Sequence, residues 1–121
     1  MRVLLLNDAA VECDALTRLL GSLGHEVVAR ASSSGEGAIF AARLLPDLAI
    51  VDGRLPPDGC LPAVSALRTA APAMLVAIVA ALPEIELVRA AVTLGAAGAL
   101  RRPLLRGEVG HALDEILAHR S

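Results

Sequence analysis

Two acidic segments of this chain each follow directly on a short apolar run, so their side chains could act together. Asn7 and Asp8 come after residues 3–6, and Asp52 comes after residues 48–51. If both runs are neighbouring parallel strands, the carboxylates of Asp8 and Asp52 meet at one edge of the sheet. Such a converging acid pair could bind a metal ion, take part in catalysis or serve a structural role.

The strands that must position these acids are predicted from hydrophobic periodicity. Candidate strands lie at residues 2–6, 26–31, 47–51, 74–80 and 98–101. The first, third and fourth are apolar on both faces, as expected of parallel strands covered by helices on each side. A helical pattern follows each strand, so the predicted order is a strand and a helix repeated five times.

Capping and breaking residues mark where the predicted helices begin and end. Ser33 and Glu36 form the pattern of a capping box at the start of the second helix, and Pro83 occupies a first-turn position of the fourth. The fifth helix is predicted from about residue 104 to residue 119. Helix ends are predicted at Gly24, Pro46, Pro72 and Gly95.

This alternation predicts an α/β fold. Right-handed crossovers make a doubly wound, three-layer sandwich: an open, five-stranded parallel sheet with helices on both faces. At 121 residues, we expect one domain over residues 1–121. Function in such sheets collects beyond the carboxyl ends of the strands. The residues at or just after those ends are Asn7, Asp8, Asp52, Ala80 and Arg102.

Composition excludes several classes of function. All eleven basic residues are Arg, so a P-loop lysine and a Schiff-base lysine are both impossible. A net charge of −2 and a pI near 5.9 argue against a nucleic-acid-binding surface. The longest apolar run, residues 73–82, is too short to span a membrane. Two cysteines without a disulfide framework suit a reducing compartment, and we expect a cytoplasmic protein.

Four local patterns together resemble the receiver domain of two-component response regulators over essentially the whole chain. They are Asn7-Asp8, residues 47–52 followed by Leu55-Pro56 and Asp58-Gly59, residues 95–98, and Arg102-Pro103. The interval from Asp8 to Asp52, 44 residues (52 minus 8), is also typical of that family. The resemblance implies a flavodoxin-like (βα)5 fold.

The resemblance also implies a role for each matching residue. Asp52 matches the aspartate that accepts a phosphoryl group from the phosphohistidine of a histidine kinase or phosphotransfer protein. Mg²⁺ would be held by Asp8, Asp52 and the backbone carbonyl of Arg54, with a weak contribution from Asn7 through a water molecule. A hard cation with oxygen ligands reduces the repulsion between carboxylate and phosphate. Arg102 would bind the phosphate.

Four positions depart from the pattern of that family. Asn7 stands where an acid is usual, which should weaken Mg²⁺ binding. Arg102 replaces a lysine, and its planar guanidinium is not interchangeable with a compact ammonium group. Ala80 replaces a hydroxyl residue, and Ala99 lies where an aromatic ring is frequent. The usual hydroxyl-to-aromatic switch is therefore absent.

The resemblance implies a signalling protein rather than an enzyme. We expect it to relay phosphorylation of Asp52 to a downstream protein, or to form a homodimer, through the face made by helix 4, strand 5 and helix 5. No nucleic acid or membrane is expected as a partner. The alternative is a pseudo-receiver, a docking or dimerisation module that works without phosphorylation.

Structural readings of the same residues also remain open. Asp52 could be a helix-capping or loop carboxylate, and Asp8 could cap the first helix. Arg102 could form a structural ion pair with Asp52 instead of binding phosphate. The four-residue spacing of His111, Glu115 and His119 could mark a metal site or, as isolated polar positions, a solvated helix face.

Overall fold

The computed structural model describes residues 1–81 and 84–118. Pro83, predicted to open the fourth helix, and His119, the last residue of the polar stripe, lie outside these residues. The strands and helices alternate as predicted. Their bounds are β1 (Arg2–Leu6), α1 (Ala10–Ser22), β2 (Glu26–Ala31), α2 (Ser34–Leu44), β3 (Leu48–Asp52), α3 (Leu61–Ala70), β4 (Leu75–Ala80), α4 (Ile85–Thr93), β5 (Gly98–Arg101) and α5 (Arg106–Ala118).

The strands form a single parallel sheet with the order β2-β1-β3-β4-β5, which confirms the predicted α/β sandwich. All residues of β3 are buried, because the strand lies at the centre of the sheet and is covered on both faces. The register pairs Leu6 of β1 with Val51 of β3. Asn7 and Asp52, one position further along each strand, therefore lie at the same edge, where the strand order reverses.

Alternating side chains of the central strands supply two separate cores. Leu5 and Ile50 pack in a cluster with side chains of α1 and α5. Leu4 and Val51 pack in the opposite cluster, with side chains of α2, α3 and α4. This alternation follows from the period of two along a strand, and it produces the three layers.

The predicted capping signals are present at the helix ends. The Ser33 hydroxyl oxygen accepts the Glu36 N–H at 3.2 Å, and the Glu36 carboxylate accepts the Ser32 N–H at 2.9 Å. After α1 and α4, Gly24 and Gly95 adopt positive φ angles of 87° and 110°. Glycine takes up this conformation without a steric penalty, which explains why both helices end there.

Some element boundaries differ from the prediction by one or two residues. β3 begins at Leu48, and the side chain of Asp47 just before it accepts the backbone N–H of Arg2, the first residue of β1, at 2.8 Å. The same strand extends to Asp52, which pairs with Val79 of β4. The acid at the centre of the site is thus held by the sheet itself.

Candidate functional site

Asp52 is nearly buried at the end of β3, with 5% of its surface exposed. One carboxylate oxygen, Oδ1, accepts the backbone N–H of Arg54 at 3.0 Å and a guanidinium N–H of Arg102 at 2.9 Å. Its backbone carbonyl accepts the N–H of Leu55 at 3.0 Å, which closes a turn directly after the strand. Asp52 is therefore a fixed, hydrogen-bonded carboxylate and not a solvated loop residue.

Gly53 fixes the backbone beside this carboxylate. Its N–H donates to the carbonyl oxygen of Val79 at 2.9 Å, which extends the pairing of β3 with β4 past Asp52. A Cβ atom at position 53 would lie 2.6 Å from that same oxygen, closer than side-chain carbons approach in proteins. Glycine is required here by the close approach of the two backbones.

Arg102 lies just beyond β5 and connects two acids. Its backbone N–H donates to the Ala80 carbonyl at 3.0 Å, which places the side chain over the sheet edge. Nε and Nη2 donate to the two carboxylate oxygens of Glu12 at 3.1 and 2.6 Å, and Nη2 also donates to Asp52. Although burial lowers the pKa of Arg102, its hydrogen bonds to Glu12 and Asp52 raise that pKa above its usual value.

Glu12, in the first turn of α1, is a site residue that the sequence did not reveal. Burial raises the pKa of its carboxyl group, but the hydrogen bonds from Arg102 and Asn7 outweigh burial, and the pKa lies below its usual value. An acid in the first turn normally indicates a solvated side chain that interacts with the helix dipole. Its position could have indicated a role in the site, because the N-terminus of α1 lies at the carboxyl edge of the sheet.

Asn7 is buried and serves as a connector. Its side-chain oxygen accepts the Ala9 N–H at 2.8 Å, and its amide nitrogen donates to the Glu12 carboxylate at 2.7 Å. An aspartate here would lack that donor and would repel Glu12. Asn7, Glu12, Arg102 and Asp52 form one connected set, which we call the acid–arginine network.

Asp8 and Arg54, predicted to hold a metal ion, flank this network. The side chains of both residues are exposed. Ala9, not Asp8, is the N-cap of α1, and it makes no side-chain cap bond. No group of three or more His, Cys, Asp or Glu within residues 1–81 and 84–118 is arranged to bind a metal ion. The metal roles of Asp8, Asp52, Arg54 and Asn7 stay predictions, as does phosphate binding by Arg102.

Ala80 and Ala99 border a groove between α4 and α5. This α4–α5 groove has a volume of about 740 Å³, and its lining includes Ile85, Val88 and Ala112. Because neither alanine carries a hydroxyl group or a ring, their side chains leave this space open, in line with the predicted loss of the switch pair.

The polar stripe on α5 is a solvated face among the described residues. His111 Nε2 lies 3.0 Å from a carboxylate oxygen of Glu115, and both side chains are largely exposed. Such an exposed pair contributes little to stability. The structure favours this reading over a metal site.

The chain resembles solved receiver domains along almost its whole length. A two-component response regulator of the LuxR family from Aurantimonas sp. SI85-9A1 shares 27% identity at a TM-score of 0.89, covering 98% of this chain and 86% of that one. A response regulator receiver domain protein from Clostridium thermocellum shares 24% identity at a TM-score of 0.85, covering 97% and 94%. A CheY-like receiver domain protein from Methanospirillum hungatei shares 22% identity at a TM-score of 0.85, covering 98% and 94%.

These similarities confirm the resemblance that the sequence indicated. The described residues form a single receiver-like domain with the flavodoxin-like arrangement of response regulators. No protein-family model and no curated protein sequence matches the chain. Receiver domains in general bind Mg²⁺, interact with histidine kinases or phosphotransfer proteins, and are not themselves enzymes. No helix within the described residues is long and apolar enough to cross a membrane.

Proposed function

We propose that this chain is a receiver module of a two-component system that accepts a phosphoryl group on Asp52. The observation that carries the proposal is the placement of Asp52. Its carboxylate is fixed at the edge of the sheet where the strand order reverses, 2.9 Å from the guanidinium group of Arg102. A cation at that distance can stabilise the charge that phosphorylation adds, about 1.5 to 2 negative charges. The backbone N–H of Arg54 supplies a second donor.

The reaction would transfer a phosphoryl group from a histidine of the donor protein to Asp52. A carboxylate oxygen of Asp52 attacks the phosphorus of a donor phosphohistidine, and a new P–O bond forms as the P–N bond breaks. The electron pair of the broken bond stays on the imidazole nitrogen, and Asp52 becomes an acyl phosphate. The chain positions the nucleophile through β3 and balances its charge with Arg102.

The residues at this edge fit a magnesium ion through their donor chemistry. The carboxylates of Asp8 and Asp52 and the carbonyl of Arg54 lie at or just after the ends of the adjacent strands β1 and β3. They are oxygen ligands, which a hard cation prefers. When bound, Mg²⁺ would reduce the repulsion between carboxylate and phosphoryl oxygens. The side chain of Asn7 is already bonded to Ala9 and Glu12, so its contribution would pass through water.

The signal would leave through the face of α4, β5 and α5 toward a downstream protein or a second copy of the chain in the cytoplasm. With Ala80 and Ala99 in place of a hydroxyl and a ring, we expect weaker coupling between this face and Asp52 than a switch pair would provide.

The test is phosphorylation by acetyl phosphate with Mg²⁺, followed by intact mass. We expect a mass gain of one phosphoryl group on the wild type and none on Asp52→Ala. The matched control is Asp58→Ala, which removes an exposed acid after the same strand and should leave the gain unchanged. A wild type that no donor modifies, with or without Mg²⁺, contradicts the proposal.

A pseudo-receiver is the second candidate, and one observation favours it. Arg102 already contacts Glu12 and Asp52, and only 6% of the Asp52 side chain is exposed. A module of this kind would bind its partner through the fold alone. It predicts full partner binding by Asp52→Ala and no measurable affinity for Mg²⁺, whereas loss of binding in that variant counts against it.

A further inference from the structure

The guanidinium of Arg102 presents one of its two-donor edges to Glu12. Nε and Nη2 donate to Oε2 and Oε1 of Glu12 at 3.1 and 2.6 Å, a bidentate contact. Only Nη2 also reaches Asp52. The Arg102 and Glu12 side chains are 19% and 24% exposed, so the pair is partly protected from solvent.

A phosphoryl group on Asp52 could use the same type of contact. Arginine binds phosphate through two parallel N–H donors on one edge of the guanidinium. On the Nε–Nη2 edge both donors are already bonded to Glu12, and on the other edge Nη1 lies 3.5 Å from the Val79 carbonyl oxygen. A phosphoryl group that uses the Nε–Nη2 edge must therefore compete with the Glu12 carboxylate, and the negative charge of Glu12 also opposes an incoming anion.

From this geometry we propose that Glu12 is an internal competitor that occupies the phosphate-binding edge of Arg102 and limits phosphorylation of Asp52. The inference rests on the proposed receiver function and deepens it. Glu12 is a positioning residue here, because it acts through Arg102 and not on the phosphoryl group itself. Asn7 supports it by donating to the same carboxylate.

Glu12→Gln tests the proposal with almost no change in side-chain size. A glutamine has only one side-chain oxygen and no negative charge, so it cannot form the two parallel, charge-assisted hydrogen bonds with Nε and Nη2 of Arg102. We expect beryllofluoride, a phosphoryl mimic, to bind Glu12→Gln with Mg²⁺ on the order of tenfold more tightly than the wild type. The dissociation constant is measured by ¹⁹F NMR, with Asp52→Ala as the variant that does not bind.

Asp14→Asn is the matched control, because it removes the same charge two residues further along α1. Asp14 pairs with Arg30 at 2.7 Å, and its side chain is 55% exposed. Its effect should stay within about twofold.

The outcomes separate this inference from the receiver function itself. If the wild type binds beryllofluoride and Glu12→Gln binds equally or more weakly, the competitor role is wrong and the receiver function stands. If Asp14→Asn gains as much affinity for beryllofluoride as Glu12→Gln, the change in net charge alone explains the effect, and the inference is also overturned. If neither the wild type nor Glu12→Gln binds, both proposals fail. Binding by Glu12→Gln alone supports strong competition.

A second readout needs neither metal nor phosphate mimic. In the metal-free protein, the Nε–H proton of Arg102 should exchange with solvent more slowly in the wild type than in Glu12→Gln, because Glu12 accepts it at 3.1 Å. Equal exchange rates would show that the bidentate contact does not persist in solution, and the inference would fail. In the binding experiment, partial unfolding of Glu12→Gln would weaken its affinity for beryllofluoride. Tighter binding by this variant therefore distinguishes competition from a purely structural role of Glu12.

Discussion

The acid–arginine network and the α4–α5 groove both adjoin one strand, β5, but are built in opposite ways. In the network, long polar side chains meet, and within the described residues no buried side-chain nitrogen or oxygen lacks a hydrogen-bond partner. In the groove, Ala80 and Ala99 leave a space of about 740 Å³. One region is filled and charge-balanced, and the other is open and mostly apolar.

The difference indicates how a change at Asp52 could reach the groove. Without a hydroxyl at position 80 or a ring at position 99, these two side chains cannot connect the two regions by rotating. The structure shows backbone bonds from Gly53 N–H to the Val79 carbonyl and from Arg102 N–H to the Ala80 carbonyl. The side chain of Arg102 also contacts β4, with Nη1 3.5 Å from the Val79 carbonyl oxygen. We infer that coupling depends on shifts of strand ends rather than on a rotating side chain.

Removal of the cation at the centre of the network is the largest expected perturbation. Arg102→Ala leaves the carboxylates of Glu12 and Asp52 close together without a counter-charge. Breaking a buried pair costs more than breaking a surface pair, and this network is partly buried, so we expect a loss of about 2 kcal/mol in the free energy of unfolding. Urea denaturation measures it. Arg101→Ala, next to it but exposed, should change stability by less than about 0.5 kcal/mol.

Gly53→Ala tests the backbone connection between the regions. The added methyl group would meet the Val79 carbonyl at 2.6 Å and Leu87 at 3.2 Å, so the strand end must move. Overpacking of this kind costs about 1 to 2 kcal/mol. The control is Gly35→Ala in α2, where nothing lies within 4 Å of the new Cβ. Thermal unfolding measures the difference. If the unfolding temperature falls equally in Gly53→Ala and Gly35→Ala, the close approach at position 53 is contradicted.

Ala99→Val is the smallest change and fills part of the groove. Valine suits a strand and would cover apolar surface, so we expect stability to rise by about 0.5 to 1 kcal/mol in urea denaturation. The same substitution at Ala77 of β4, which is fully buried, should instead lower stability by about 1 kcal/mol. A loss at position 99 as large as that at position 77 would mean that the groove is not open.

The sequence was sufficient for the sheet and for half of the site. β1, β3 and β4 were predictable because central parallel strands are apolar on both faces, and Asp52 was predictable because it ends such a strand. Glu12 was not, since its partner Arg102 is 90 residues away and an acid in a first helical turn usually faces solvent. The bond between Asn7 and Glu12 was also missed. The sequence shows that Asn7 lacks the negative charge of an aspartate, but it does not show which acceptor the Asn7 amide group finds.

The contact between Glu12 and Arg102 also has a consequence for how the chain folds. It joins the first helix to the segment after the last strand, and a contact between residues so distant in sequence carries a loop-closure entropy cost that local contacts do not. During synthesis, Glu12 and Asp52 emerge from the ribosome long before their counter-ion. Glu12 and Asp52 thus gain their shared guanidinium only when the segment after β5 has docked, so the complete acid–arginine network exists only in the folded domain.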